Sequence, residues 1–173
     1  MWHVSQSRSK EEKEKCQGWL DGFNPKHKNV MMEVEGFSGQ TFFSPTWMLE
    51  TCHTIMDKYQ GDATIIISKG NPETPMIGWL KAHYGQDKIH LLNNYTLRES
   101  AWIYKNVVDV FIGCSSGTSN ACHTHQCKKD VPWFEAIKDK RWDSSPLGIK
   151  NKTFFYDDNH VEFARIVKEG LPD

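Results

Sequence analysis

The sequence has no long apolar run, no surplus of either charge and no even set of cysteines, and each absence removes a class of protein. None of its apolar stretches approaches the roughly 20 residues of a membrane-crossing helix, so no membrane span is expected. Its 21 Lys and Arg stand against 22 Asp and Glu, a formal net charge of −1. Broad nucleic-acid surfaces rest on excess Lys and Arg, which this balance does not supply, and no nucleic-acid partner is expected. The five cysteines (Cys16, Cys52, Cys114, Cys122 and Cys127) are an odd number, which suits reduced thiols better than a disulfide framework. The amino-terminal stretch carries Lys10 to Lys15 where a secretory leader would carry an apolar segment, so a cytoplasmic location is expected. Neither G-x-G-x-x-G nor G-x-x-x-x-G-K-[ST] occurs, which takes most of the weight from simple dinucleotide and Walker-type ATP sites.

What is present suits one compact domain with a short arm: 173 residues, 38% of them hydrophobic. Residues 1–28 read as a charged arm, helix-permissive from residue 9 to 21 and closed by Gly22 and Asn24-Pro25. From residue 29 to 173 short β-rich runs alternate with amphipathic helices. Strands are expected at Val30–Val34, Ala63–Ile67, Lys88–Leu92 and Val107–Gly113, with shorter extended pieces near Val131–Phe134 and Phe154–Tyr156. The unbroken Ala63-Thr64-Ile65-Ile66-Ile67 run marks a strand covered on both faces, as in a parallel sheet.

Helix signals fall between these strands. Ser44-Pro45 is an N-cap followed by Pro at the first helical position, and Met48, Cys52, Ile55, Met56 and Tyr59 then share one face. A second helix is expected over 73–84. Thr96-Leu97-Arg98-Glu99 matches a capping box, with Leu97, Ala101 and Tyr104 turned inward. A last helix starts at Asn159 and stops at Gly170, with Phe163, Ile166 and Val167 inward. Such alternation implies right-handed βαβ crossovers and a Rossmann-like three-layer αβα domain with a parallel sheet. In sheets of this kind the site lies beyond the carboxyl ends of the strands, so the loops after each strand hold the candidate residues.

The most informative loop is Ser115-Ser116-Gly117-Thr118-Ser119-Asn120, after the strand ending at Gly113. Small residues admit close backbone approach, hydroxyls add donors, and a following helix start favours an anion such as phosphate. The competing reading of the same residues is a turn that only caps a helix. Lys69 likewise reads either as a phosphate-neutralising cation or, more simply, as a solvated residue at a strand end.

The stretch from Leu92 to Glu99, then Val108 to Ala121 and Val131-Pro132, resembles the carboxyl-terminal half of GT-B glycosyltransferases, most of all the heptosyltransferase-like group. There a Thr/Ser-Leu-x-Glu helix start precedes an apolar strand and an Asp-Ser-Gly-x-x-His-x-Ala loop that contacts the donor diphosphate. Ser116 and Gly117 match that loop, whereas Ser115 replaces its Asp and Asn120 its His. The resemblance implies a nucleotide-sugar donor across the strand ends. Ser115 to Asn120 would contact its diphosphate, Gly70 with Asn93 to Thr96 its base and ribose, and Ser38 with Gly39 its phosphate or sugar. It also implies transfer to an acceptor without metal or other cofactor. GT-B enzymes take the acceptor, and usually the base, from a second domain, so a second domain, chain or homodimer partner is implied, and the amino-terminal arm is the candidate docking segment. The alternative is a non-catalytic nucleotide-sugar-binding or protein-binding module that keeps the fold.

Two other constellations carry less. Cys122, His123, His125 and Cys127 crowd four metal-ligand side chains into six residues, where they cannot all face one ion; Cys122 with His125, or His123 with Cys127, could share a face and supply two ligands beside a partner such as Cys114, but no metal is expected. Cys114 at a strand end suits a thiolate nucleophile, but thiol-phosphatase loops carry an Arg before their helix, and none lies between Arg98 and Arg141.

Overall fold

The computed structural model describes residues 10–34, 44–68, 74–113, 131–137 and 152–173. Its strands are β1 (Lys28–Glu33), β2 (Ala63–Ser68), β3 (Ile89–Leu92), β4 (Val110–Gly113), β5 (Trp133–Ala136) and β6 (Lys152–Phe155). The helices among the described residues are α1 (Lys10–Asp21), α2 (Pro45–Lys58), α3 (Pro75–Tyr84), α4 (Leu97–Val107) and α5 (His160–Gly170). All five strand pairs are parallel, in the order β3-β2-β1-β4-β5-β6. The domain is Rossmann-like, as the alternation of strands and helices implies.

Alternation along each strand sends successive side chains to opposite faces, and both faces are apolar. Val30, Met32, Ile65, Ile67, Val110 and Ile112 join Met48 and Ile55 of α2, Leu80 of α3 and Phe163 and Val167 of α5 in one core. Met31, Ile66, Phe111 and Trp133 form the other with Ala101 and Tyr104 of α4. The Phe111 and Trp133 rings stack there at 3.7 Å. Both cores touch β1, which lies between β2 and β4.

The helix boundaries follow their local chemistry. Ser44 caps α2 by accepting from Trp47 N at 3.4 Å, with Pro45 at the first helical position. The helix then unwinds through Gln60 and Gly61, both at positive φ. Thr96 and Glu99 form both halves of the capping box on α4, and Asn159 Oδ1 accepts from Glu162 N at the start of α5.

Two expectations need correction. Leu97 is 49% exposed, because at the first position of α4 it precedes the turn whose Ala101 and Tyr104 meet the core. Val107 belongs to α4 and Val108 is its C-cap, so β4 starts only at Val110. In the amino-terminal segment, α1 packs on this chain's own α4 and β3: Trp19 and Phe23, 4.1 Å apart, both lie against His90.

Candidate functional site at the carboxyl ends of the strands

The strand order reverses direction between β1 and β4. Chain connections leave β1 to one side for β2 and β3, and β4 leads to β5 and β6 on the other. In an open parallel sheet this switch point leaves a crevice beyond the carboxyl ends of the two strands. The last described residues there are Glu33 at the end of β1 and Val34 after it, Ser68 in β2 and Gly113 in β4. The loops singled out in the sequence continue from these residues. Ser38, Gly39, Lys69, Gly70 and Ser115 to Asn120 lie outside the described residues, as do Cys122, His123, His125 and Cys127.

Register places a polar row across the sheet at this end. Leu92 is opposite Ser68, Ser68 opposite Glu33, and Gly113 opposite Glu135. Ser68, Glu33 and Glu135 are at most 5% exposed. Each stands two residues beyond an apolar residue of the α4-side core (Ile66, Met31 and Trp133), so period-two alternation turns all three to that face. Gly113 fills the middle of the row with no side chain. A Cβ there would lie 2.7 Å from Glu33 Cβ and 2.9 Å from Glu33 O. Only glycine lets β1 and β4 come this close at the mouth of the crevice. Trp133 Nε1 donates to Glu135 Oε2 at 2.9 Å, which fixes that carboxylate over the strand.

Sequence reasoning missed Glu33 and Glu135 as site residues. Both carry a readable signal, a single acid ending or interrupting an otherwise apolar strand, in Val30-Met31-Met32-Glu33 and Trp133-Phe134-Glu135-Ala136. Asp109 has a structural part: its Oδ2 accepts from Asn29 N at 2.8 Å at the amino end of the sheet, opposite the crevice.

Of the sequence-predicted site residues, the described ones are Asn93 and Thr96, in the loop from β3 to α4. Asn93 is exposed in the turn. The Thr96 hydroxyl accepts from Glu99 N at 3.2 Å, and Thr96 N donates to Glu99 Oε2 at 2.8 Å. Between them, burial pushes the Tyr95 phenol above its usual range, helped by Cys16 and Glu99 nearby. Among the described residues no three His, Cys, Asp or Glu side chains converge as metal ligands. No described helix is long and apolar enough to cross a membrane. A groove of about 490 Å³ between α2, α3 and α5, lined by His53, Asp57, Tyr84 and Lys168, opens near Gly61, toward the amino end of β2 and away from the crevice.

No protein-family model matches the sequence, and no curated protein is similar to it. Solved structures are similar in fold. Escherichia coli ADP-heptose LPS heptosyltransferase II superposes over 95% of this chain and 51% of its own, with a TM-score of 0.66 and 10% identity. The trehalose-6-phosphate phosphatase N-terminal domain of Candida albicans matches over 96% of this chain and 38% of its own, with a TM-score of 0.62 and 13% identity. The UDP-GlcNAc 2-epimerase of Methanocaldococcus jannaschii, solved with UDP-GlcNAc and UDP, matches over 96% of this chain and 43% of its own, with a TM-score of 0.55 and 12% identity. The fold is therefore a Rossmann-like α/β domain of the kind these proteins contain. More narrowly, it is one half of a GT-B fold, and the chain spans about half the length of the heptosyltransferase.

Proposed function

We propose that this domain binds a nucleotide sugar and is the donor half of a metal-independent glycosyltransferase. The observation that carries the reading is the convergence at one switch point. The β1 and β4 ends meet over Gly113, a polar row flanks it, and the small-residue loop Ser115 to Ser119 follows directly in the chain. The similarity in fold to the heptosyltransferase and the UDP-GlcNAc 2-epimerase supports it.

In this reading the amides and hydroxyls of Ser116, Gly117, Thr118 and Ser119 take the diphosphate, and Ser115 and Asn120 border it. Lys69 adds positive charge, Gly70 and Asn93 to Thr96 meet base and ribose, and Ser38 and Gly39 border the sugar. The nucleotide sugar is substrate, with no further cofactor. Transfer needs an acceptor hydroxyl and a base brought to about 3 Å from the reacting atoms. These come from a second domain, a second chain or a second copy of this one.

A thermal-shift panel of UDP-, GDP-, ADP- and CMP-sugars tests the reading. A ligand at 100 times its dissociation constant adds about 2.7 kcal/mol of stability. On the scale of this chain that is roughly 7 °C in Tm, and one of the four bases is expected to give it. No shift with any of them refutes donor binding and leaves a module that keeps the fold without the ligand.

A further inference from the structure

Helix α1 reaches the β3–α4 loop from outside the sheet. Lys15 Nζ donates to Asn94 O at 2.5 Å, and to the Glu99 carboxylate at 3.0 Å (Oε2) and 3.3 Å (Oε1). The same ammonium sits 4.2 Å from the centroid of the Tyr95 ring. Glu99 is simultaneously the capping-box acid of α4, accepting from Thr96 N. One cation therefore touches a carbonyl, a ring and a carboxylate within six residues, all in or just after the loop. One turn earlier on α1, Glu12 pairs with Arg98 at 3.7 Å.

The loop has reason to need this. It follows the edge strand β3, which has a neighbour on one side only, and Asn93 and Asn94 are exposed. Ordering such a segment before a ligand arrives removes a cost that binding would otherwise carry. Lys15 is itself poorly suited to be a ligand contact, since its charge is matched by Glu99, 5% exposed, at 3.0 Å. It is 39% exposed and stands outside both apolar cores, so the sheet does not depend on it.

We infer that Lys15 is a positioning residue: through Asn94, Tyr95 and Glu99 it holds the β3–α4 loop in the shape that meets the nucleoside of the donor. The inference rests on the proposed nucleotide-sugar site. It also changes the part assigned to the amino-terminal segment, from a handle for another chain to a component of this site.

The experiment compares the full chain with Lys15→Met, which keeps the stem and loses the ammonium, and Lys15→Arg, which keeps the charge. Amide hydrogen exchange of the unliganded proteins is read first. Lys15→Met should exchange about tenfold faster over 94–99 with β1 and β2 unchanged, and Lys15→Arg should restore protection. Calorimetric titration is read second, with UDP, ADP, GDP and CMP as nucleotides and with inorganic pyrophosphate. Lys15→Met should bind the preferred nucleotide about tenfold more weakly and pyrophosphate as well as wild type does, because only the nucleoside side of the site is loosened. Unchanged exchange over 94–99 overturns the role of Lys15, as does faster exchange with undiminished nucleotide affinity. A wild-type chain that binds no nucleotide overturns the functional reading instead, and the exchange result then decides alone whether Lys15 fixes the loop.

Discussion

Replacing Gly113 by Ala tests whether the β1–β4 approach is as tight as the crevice geometry requires. Non-bonded carbons rest about 3.5 to 4.0 Å apart, and the new methyl would start 2.7 Å from Glu33 Cβ, 2.9 Å from Glu33 O and 3.1 Å from Phe111 Cε1. The first two atoms are fixed to the main chain of the neighbouring strand, so no rotamer change relieves them. The strands must part by several tenths of an ångström, and the Phe111 ring, stacked on Trp133, must yield as well. Overpacking of this kind costs about 3 kcal/mol. With an unfolding entropy of about 2.1 cal/mol/K per residue over 173 residues, the melting temperature should fall by roughly 8 °C. Gly78→Ala is the internal control. Nothing lies within 4 Å of a Cβ at Gly78, which sits in the exposed interior of α3, so the same chemical change there should raise stability by about 0.5 to 1 kcal/mol. Scanning calorimetry of both variants reads the contrast. If Gly113→Ala melts within about 2 °C of wild type while Gly78→Ala behaves as expected, the close approach at the crevice is wrong.

Further outcomes follow from the same residues. Gly117→Val should abolish the thermal shift given by the preferred nucleotide sugar while leaving the circular dichroism spectrum unchanged, and a retained shift would remove Gly117 from the diphosphate loop. Burial pushes the phenols of Tyr59 and Tyr84 up to about 12 from an ordinary 10. The unfolded chain therefore ionises first as pH rises, so the stability these neutral phenols contribute is complete below pH 10 and drains away between pH 10 and 12. Urea midpoints should fall across that window, and less steeply in Tyr59→Phe, which also loses the bond to Pro172 O; a flat wild-type profile would refute this. Burial pushes the Cys52 thiol up to about 12, and Cys16 is buried too, so iodoacetamide at pH 8 should leave both unmodified in peptide maps of the folded protein. Alkylation of either in the native state would show that the helix packing is looser than described.

The fold was legible wherever local chemistry and tertiary packing ask for the same thing. Ala63 to Ile67 could bury all its side chains only inside a covered sheet, and Ser44-Pro45 and Thr96-x-x-Glu99 could start helices only where they do. Legibility failed where one residue served two plausible patterns. Val107-Val108 is β-branched and reads as strand, but the last turn of α4 holds it because the helix's inward residues, Ile103 and Tyr104, are already buried. Leu97 reads as core by spacing, yet a helix's first residue can overhang its support. The candidate loops were chosen from the alternation of strands and helices, and most of them lie outside the described residues. Glu33 and Glu135 were not legible, because what makes them notable is that register puts them either side of Gly113, and register between strands is not written in either strand, whether they lie 80 residues apart, as Met32 and Ile112 do (112 − 32), or 22, as Gly113 and Glu135 do (135 − 113). Nor was Lys15, which looks in sequence like one more charge on a solvated helix.

The position of β1 has a consequence for how the chain is made. Its residue Met31 pairs with Ile66 on one side, 35 residues on (66 − 31), and with Phe111 on the other, 80 residues on (111 − 31). During synthesis at about 5 to 20 residues per second, the open edge of Val30-Met31-Met32 waits roughly 2 to 9 seconds between its first partner and its second. For that time an apolar strand edge is available to any other nascent chain, which is where misassembly of parallel sheets begins. The crevice between β1 and β4 is born only when that wait ends, while β5, β6 and α5 are still to be made.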